Sequence, residues 1–288
     1  MNTCAMHPVK YGLQLLLKKR LTIFLGLNLS PMNRKAKLSL VGCGPGALDL
    51  ITLRGVEAIK QADVLLYDAL IHPDLLHHNH GAIKCYVGKR GGKPSCSQND
   101  IMGYIDRYTA QGLHVCRLKG GDISVFARAA EEVLWAHKLG IDVEMIPGIS
   151  IYTAIAAEHQ LPLTHRGISD SFWAVTGHTA DGLLSKDMEL AARSNATVMV
   201  YMGMGHLTEI ISLFLKHQSP ELPVAIIQNG TLPEEKCVLG QLSTIEGLVD
   251  DQGISSPALI VIGWAAAKAM AKNSKLNIHQ PENIAWVA

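Results

Sequence analysis

The sequence predicts an α/β protein of two domains, the first on a mainly parallel sheet and the second on a mixed sheet. Three observations carry this. Between residues 37 and 146, apolar runs of strand length alternate with segments of helical period. The strands end in glycine-rich turns. Beyond residue 168, strand-like runs follow one another over short linkers with fewer helical segments between them. A length of 288 residues suits two domains, and 48% hydrophobic against 18% charged residues supplies ample core material.

The elements follow in order. Residues 38–41 read as a buried strand, followed by the turn Gly42-Cys43-Gly44-Pro45-Gly46. Residues 50–62 carry Ile51, Val56, Ile59 and Ala62 at helical spacing, and Val64–Tyr67 is a second strand ending at Asp68. A helix is expected over 98–112, with Asn99 or Asp100 near its start. A strand over 114–118 runs into Lys119-Gly120-Gly121-Asp122. A helix over 127–139 closes at Gly140, and a strand over 142–146 stops at Pro147-Gly148. In the second half, strands are expected over 172–176, 197–201, 224–228, 236–240 and 258–262, with a helix over 207–217. The expected division is an extension over 1–36 outside the core, domains over 37–150 and 151–273, and a tail over 274–288.

Composition excludes several classes. A net charge of +1 argues against a generally basic nucleic-acid binder. Lys18, Lys19 and Arg20 precede an apolar run over 21–29, but that run falls short of the ~20 residues of a membrane span. No small-residue cleavage site follows it, so neither a membrane segment nor a signal peptide is expected. Met32 is the expected start of a shorter chain. The six cysteines are dispersed, with no Cys-x-x-Cys pair, which points to reduced thiols in the cytoplasm rather than a disulfide framework or zinc site. His77, His78 and His80 read as a polar surface loop, and no metal site is expected.

Several motifs carry chemistry. Gly42, Gly44 and Ala47 after a strand fit the G-x-G-x-x-G/A pattern. A nucleotide-binding turn and a structural tight turn both satisfy it, although Pro45 is unusual within the former. Asp68 suits a ribose-binding acid or a helix N-cap. Gly88-Lys89-Arg90-Gly91-Gly92-Lys93 gathers three cations in a glycine-rich loop, which is either a solvated surface or an anion contact. Arg117-Leu118-Lys119-Gly120-Gly121-Asp122 sits at the C-terminal end of a strand, where open α/β sheets bind ligands. There Asp122 is suited to accept hydrogen bonds from a ribose or an amine.

In order along the chain come Val41-Gly42-x-Gly44-Pro45-Gly46, Ala62-Asp63-Val64-Leu65-Leu66-Tyr67-Asp68, Gly88-Lys89-Arg90 and Arg117-Leu118-Lys119-Gly120-Gly121-Asp122. Pro162-Leu163-Thr164-His165-Arg166, Thr176-Gly177-His178, Tyr201-Met202-Gly203, Asn229-Gly230-Thr231 and Ser256-Pro257-Ala258 follow. This series, over about residues 37–265, resembles the uroporphyrinogen-III C-methyltransferases of the tetrapyrrole methylase superfamily.

The resemblance implies a two-domain tetrapyrrole methylase fold with its active site in the cleft, and a homodimer. The implied reaction is methylation of uroporphyrinogen III at C2 and C7 to precorrin-2, with S-adenosylmethionine as cofactor and S-adenosylhomocysteine as product. By position, cofactor contacts fall to Pro45, Gly120, Gly121, Asp122, Val125, Ser150, Ile151, Met202 and Gly230. Proton transfer falls to Asp68 and Lys89. Substrate contacts fall to Arg128, Glu131 and Arg166, with Lys89 and Arg90 as further cations near the mouth. A substrate with eight carboxylates calls for such cations. Both siroheme and cobalamin pathways stay open. The competing readings are a methylase of a later precorrin, a nicotinamide-dependent oxidoreductase using the first glycine loop, and a paralogue that binds a tetrapyrrole without methylating it.

The chain also departs from the family pattern. Ile123-Ser124-Val125-Phe126-Ala127-Arg128-Ala129-Ala130-Glu131-Glu132 stands where Pro-Phe-Ile-Phe-Gly-Arg-Gly-Gly-Glu-Glu is usual. Three alanines for glycines are expected to start the helix more firmly and leave less room. Ser150-Ile151 replaces Thr-Ala and is expected to set a larger side chain beside the cofactor. Ser95-Cys96-Ser97-Gln98 replaces a loop that reads His-x-x-Pro-Gln.

Overall fold

The computed structural model describes residues 35–88 and 96–264. The described residues divide into two compact units, one of residues 35–44 and 48–148, the other of residues 45–47 and 149–264.

The first unit is built on β1 (Lys37–Gly42), β2 (Val64–Tyr67), β3 (Ile83–Tyr86), β4 (His114–Lys119) and β5 (Asp142–Ile146). They form one sheet in the order β3-β2-β4-β1-β5, with every pair parallel. Alternation along the strands fills both faces. Leu38, Leu40, Val64, Leu66 and Val115 pack towards Ile101, Ile105 and Ala136. Val41, Leu65, Cys116 and Leu118 pack towards Ala58, Ile59 and Leu75. Such two-sided burial is what a parallel sheet with crossover helices requires. The helices are α1 (Leu53–Gln61), α2 (Gln98–Thr109) and α3 (Ala129–Lys138). Thr52 caps α1 by accepting the Gly55 N–H. At α2, Ser97 accepts the Asp100 N–H while the Asp100 carboxylate accepts the Ser97 N–H, a reciprocal capping box.

The second unit contains β6 (Phe172–Thr176), β7 (Thr197–Tyr201), β8 (Pro223–Gln228), β9 (Lys236–Gln241) and β10 (Ala258–Ile262), in the order β6-β7-β10-β8-β9. The β6–β7 pair is parallel and the other three are antiparallel. One face buries Val198, Val200, Val224, Ile226 and Ile260 with Ile210 and Phe214; the other buries Met199, Ala225, Ile227 and Val261 with Ile155.

Three expectations need correction. The second unit has four helices among the described residues, α4 (Ile151–Glu158), α5 (Asp187–Arg193), α6 (Leu207–Leu215) and α7 (Ile245–Gln252), against three in the first. Three of these run only seven or eight residues, about two turns, too few for a periodic pattern to stand out. Helix α3 begins at Ala129 rather than 127, because Phe126 and Arg128 both have left-handed backbone (φ 51° and 54°) that cannot continue a helix. Asp68 caps no helix; its Oδ1 accepts the Leu70 N–H, and the next 3-10 turn, Pro73–His78, is capped by His72.

Candidate active site

In the first unit, the turns after β1, β4 and β5 interlock at the C-terminal edge of the sheet. The Cys43 N–H donates to Lys119 O (2.8 Å), and Gly44 and Gly121 exchange amide bonds of 3.3 and 2.6 Å. A Cβ on Gly42 would lie 2.6 Å from Gly148 N and 2.8 Å from Gly121 O, so the close approach requires glycine. Asp122 completes the lock: Oδ1 accepts from the amide and hydroxyl of Ser124, and Oδ2 accepts the Gly148 N–H at 2.8 Å. Burial alone would raise its pKa, but these bonds outweigh burial and hold the carboxyl below the usual aspartate value.

The same geometry argues against a dinucleotide fingerprint. The Gly44 amide is already spent on Gly121, and the helix begins only at Leu53, with the Gly55 N–H satisfied by Thr52. A phosphate cradle needs free amides at a helix N-terminus directly after the glycines. The nicotinamide-dependent reading is not favoured.

Beside these turns lies a buried charge cluster. Arg117 Nη2 is 3.3 Å from Asp68 Oδ2, Arg117 Nε is 3.7 Å from Glu132 Oε1, and Lys119 Nζ is 2.9 Å from the same Oε1. Gln98 Nε2 also donates to Glu132 Oε1 at 3.1 Å. Burial lowers the Lys119 pKa, and the neighbouring Glu132 carboxylate opposes that shift. A cavity of about 530 Å³ opens here, its walls including Val87, Ser97, Gln98, Arg117 and Arg128.

In the second unit, β6, β7 and β8 run in one direction, so their C-terminal turns share one sheet edge with the start of β10. Three non-glycine residues there have left-handed backbone: Met202 (φ 54°), Asn229 (53°) and Thr231 (70°). This conformation is costly, most of all for a β-branched residue, and such strain gathers at functional sites. Specific bonds hold it. His178 Nδ1 donates to Met202 O (3.1 Å), Asn229 N–H to Pro257 O (3.1 Å), and Thr231 N–H to Glu235 Oε2 (2.7 Å). Thr231 Oγ1 in turn accepts the Ala47 N–H at 3.0 Å. Met202 is 49% exposed.

The residues match a model of the Tetrapyrrole (Corrin/Porphyrin) Methylases over 37–246. The chain belongs to that family. It is 39% identical over 223 residues to the uroporphyrinogen-III C-methyltransferase of Methanobacterium ivanovii, covering 77% of this chain and 94% of that protein. It is 38% identical to the siroheme synthase of Methylobacillus flagellatus over 78% of its own length, but it spans only 48% of that relative. Among solved structures, uroporphyrin-III C-methyltransferase from Thermus thermophilus, complexed with S-adenosylhomocysteine, superposes with a TM-score of 0.69 at 34% identity, covering 81% of this chain and 99% of that one.

Within this methylase fold, the expected site residues fall into two groups. Gly120, Gly121, Asp122, Val125, Asp68, Arg128 and Glu131 lie in the first unit; Pro45, Ser150, Ile151, Arg166, Met202 and Gly230 lie in the second. Gly121 (φ +69°) has open space where a Cβ would stand, whereas a Cβ on Gly230 would lie 3.0 Å from Ile151 Cδ1. The larger side chain at 151 thus packs over Gly230. Buried Ser150 forms the N-cap of α4 through its carbonyl, which accepts from Ala154 N–H. Exposed Arg166 stands on a tight turn closed by the His165–Ser169 bridge. Arg128 and Glu131 pair with each other rather than standing apart, through two bonds of 2.7 Å. Lys89 and Arg90 lie outside the described residues.

Sequence reasoning missed Glu132 and Glu235. Glu132 had a readable signal: with Ala129 and Ala136 it shares the buried stripe of α3, a place where a carboxylate must have a partner. Glu235 had none, since it lies in the β8–β9 connection outside any periodic pattern.

Proposed function

We propose that this chain methylates uroporphyrinogen III at C2 and C7, giving precorrin-2, with S-adenosylmethionine as methyl donor. The placement of Asp68 carries the reading. Its carboxylate stands at the C-terminal end of β2, both oxygens oriented by the protein and its side chain still 22% exposed. The 39% identity to a methyltransferase matched over 94% of its length supports the same reaction.

The residues present suit a nucleoside-sized cofactor. Half-exposed Met202 and partly exposed Val125 and Ile151 offer apolar contact, and Gly121 leaves its Cα open to close approach. We assign cofactor binding to these residues with Pro45, Gly120, Asp122, Ser150 and Gly230. The bound cofactor supplies an electrophilic sulfonium methyl group to an electron-rich pyrrole carbon. Asp122 acts by holding the β4 turn against the β5 turn, since both of its oxygens are engaged within the protein. Asp68, with Lys89, serves proton removal from the macrocycle after methylation. Arg128, Glu131 and Arg166 meet the substrate carboxylates. The assembly we propose is a cytoplasmic homodimer. The buried thiols of Cys43 and Cys116 suit a reducing compartment; no described helix is long and apolar enough to cross a membrane.

The test is anaerobic incubation of the purified chain with uroporphyrinogen III and methyl-labelled S-adenosylmethionine. A dimethylated product is expected. Intact S-adenosylhomocysteine binding without methyl transfer would instead identify a binding paralogue. Transfer only to a later precorrin would reassign the substrate.

A further inference from the structure

Four charged side chains meet at the ends of β2 and β4, and three of them are almost wholly out of water. Arg117 is 4% exposed, Lys119 6% and Glu132 0%. Each buried ion costs several kcal/mol of desolvation, and an apolar cluster of similar volume is often more stable. The cluster balances at two cations and two anions, and Asp68 is the member that reaches solvent. Its geometry converges on that carboxylate. Arg117 Nη1 donates to Leu118 O (2.7 Å) and Leu66 O (3.4 Å), which fixes the guanidinium between adjacent strands. Glu132 lies on the Nε side and is itself tied to Lys119 and Gln98. Arg117 Nη2 then donates to Asp68 Oδ2 at 3.3 Å, while the Leu70 N–H holds Oδ1 at 3.1 Å.

We infer that Arg117, held in place by Glu132, is a positioning residue that fixes the direction of the Asp68 carboxylate. This rests on the reading of Asp68 as the group that accepts a proton from the macrocycle. In that step the C–H electron pair becomes a new C=C bond of the macrocycle and neutralises the positive charge left by methyl transfer, and the proton passes to the carboxylate and then to water. A carboxylate gripped at both oxygens keeps one orientation through both methylations. Misplacement by about 1 Å is enough to cost on the order of 100-fold in rate.

A double-mutant cycle tests this on the full chain, with kcat and KM measured for methyl transfer to uroporphyrinogen III. Arg117→Lys keeps the charge and loses the fork. It is expected to lower kcat by about 10-fold to 100-fold with KM within about threefold. In an Asp68→Asn background the same change should have almost no further effect on kcat, because the carboxylate it positions is gone. Glu132→Gln is the second probe should Arg117→Lys fail to fold, and it should show the same loss on kcat and the same non-additivity. Thermal midpoint and S-adenosylhomocysteine affinity report the fold in each case. Full additivity, or a loss falling on KM alone, would overturn the inference while leaving Asp68 as the proton acceptor. Wild-type kcat in Asp68→Asn itself would overturn the Asp68 reading, and this inference with it.

Discussion

The Asp122 carboxylate accepts the Gly148 N–H at 2.8 Å and thereby ties the turn after β4 to the turn after β5. Its other oxygen closes the local turn on Ser124. Removing the carboxylate therefore frees two loops at once, one of which carries Gly120 and Gly121. Asp122→Ala is expected to weaken S-adenosylhomocysteine about 10-fold or more, a loss of one to two charged hydrogen bonds. Asp122→Asn should fall between, since the amide oxygen still accepts one bond. The pH dependence follows from the depressed pKa. A carboxyl whose folded value lies below its unfolded value stabilises the fold above the unfolded value, about 4 for aspartate. That contribution is lost as pH falls through the folded value. Calorimetric affinity and thermal midpoint should both drop in this acid range, and the Asn variant should lose the drop. A pH-independent affinity would refute the assignment.

The Thr231 turn makes a second prediction. Its left-handed backbone is held by Glu235, whose Oε2 accepts the Thr231 N–H at 2.7 Å and whose Oε1 meets His159 Nε2 at 2.8 Å. The chain of bonds runs from the C-cap of α4, through Glu235 and Thr231, to the Ala47 N–H. Glu235→Ala strips the acceptor from Thr231 and is expected to destabilise the fold by about 1–3 kcal/mol. Because Pro45 and Gly230 flank the bonded residues, S-adenosylhomocysteine affinity should fall several-fold as well. Glu235→Gln, which retains an acceptor, should recover most of both. An affinity unchanged in Glu235→Ala would show that the turn takes no part in cofactor binding.

The two cases show what could be read in advance. Asp122 was legible as an acid at a strand end, because a glycine pair before an aspartate after an apolar run is a local pattern. That its oxygens serve Gly148 and Ser124 was not legible, since Gly148 lies 26 residues away on another turn. The parallel first sheet was legible because strands buried on both faces are continuous apolar runs. Strand β3 was not, because Ile83-Lys84-Cys85-Tyr86 is a half-buried edge strand whose composition resembles a loop. Arg117 and Lys119 were visible as cations at a strand end. Their partner Glu132 was legible only as a face-mate of Ala129 and Ala136; its pairing with the cations of β4 needed the structure. Left-handed Arg128 lay beyond sequence reasoning, because arginine has no preference for that backbone.

Arg128 supplies the last prediction, because its side chain and its backbone make opposite demands. The side chain forms a bidentate pair with Glu131, but at 61% and 44% side-chain exposure such a pair contributes at most about 1 kcal/mol. The backbone at φ 54° costs about 1 kcal/mol in any residue with a Cβ. Arg128→Ala keeps the strain and loses the pair, so the thermal midpoint should move little and slightly downwards. Arg128→Gly loses the same pair but relieves the strain, and its midpoint should lie a few degrees above that of the alanine variant. If the guanidinium grips a substrate carboxylate, both variants should raise KM for uroporphyrinogen III by about 10-fold, the loss of one charged hydrogen-bonded contact. S-adenosylhomocysteine affinity should stay unchanged in both. Glu131→Gln separates the roles further. It weakens the internal pair without removing the guanidinium, so KM should hold or fall if Glu131 competes with the substrate, and rise if Glu131 serves to aim Arg128. Equal KM values in all four proteins would remove Arg128 from the substrate site and leave its pair with Glu131 as a feature of the helix start alone.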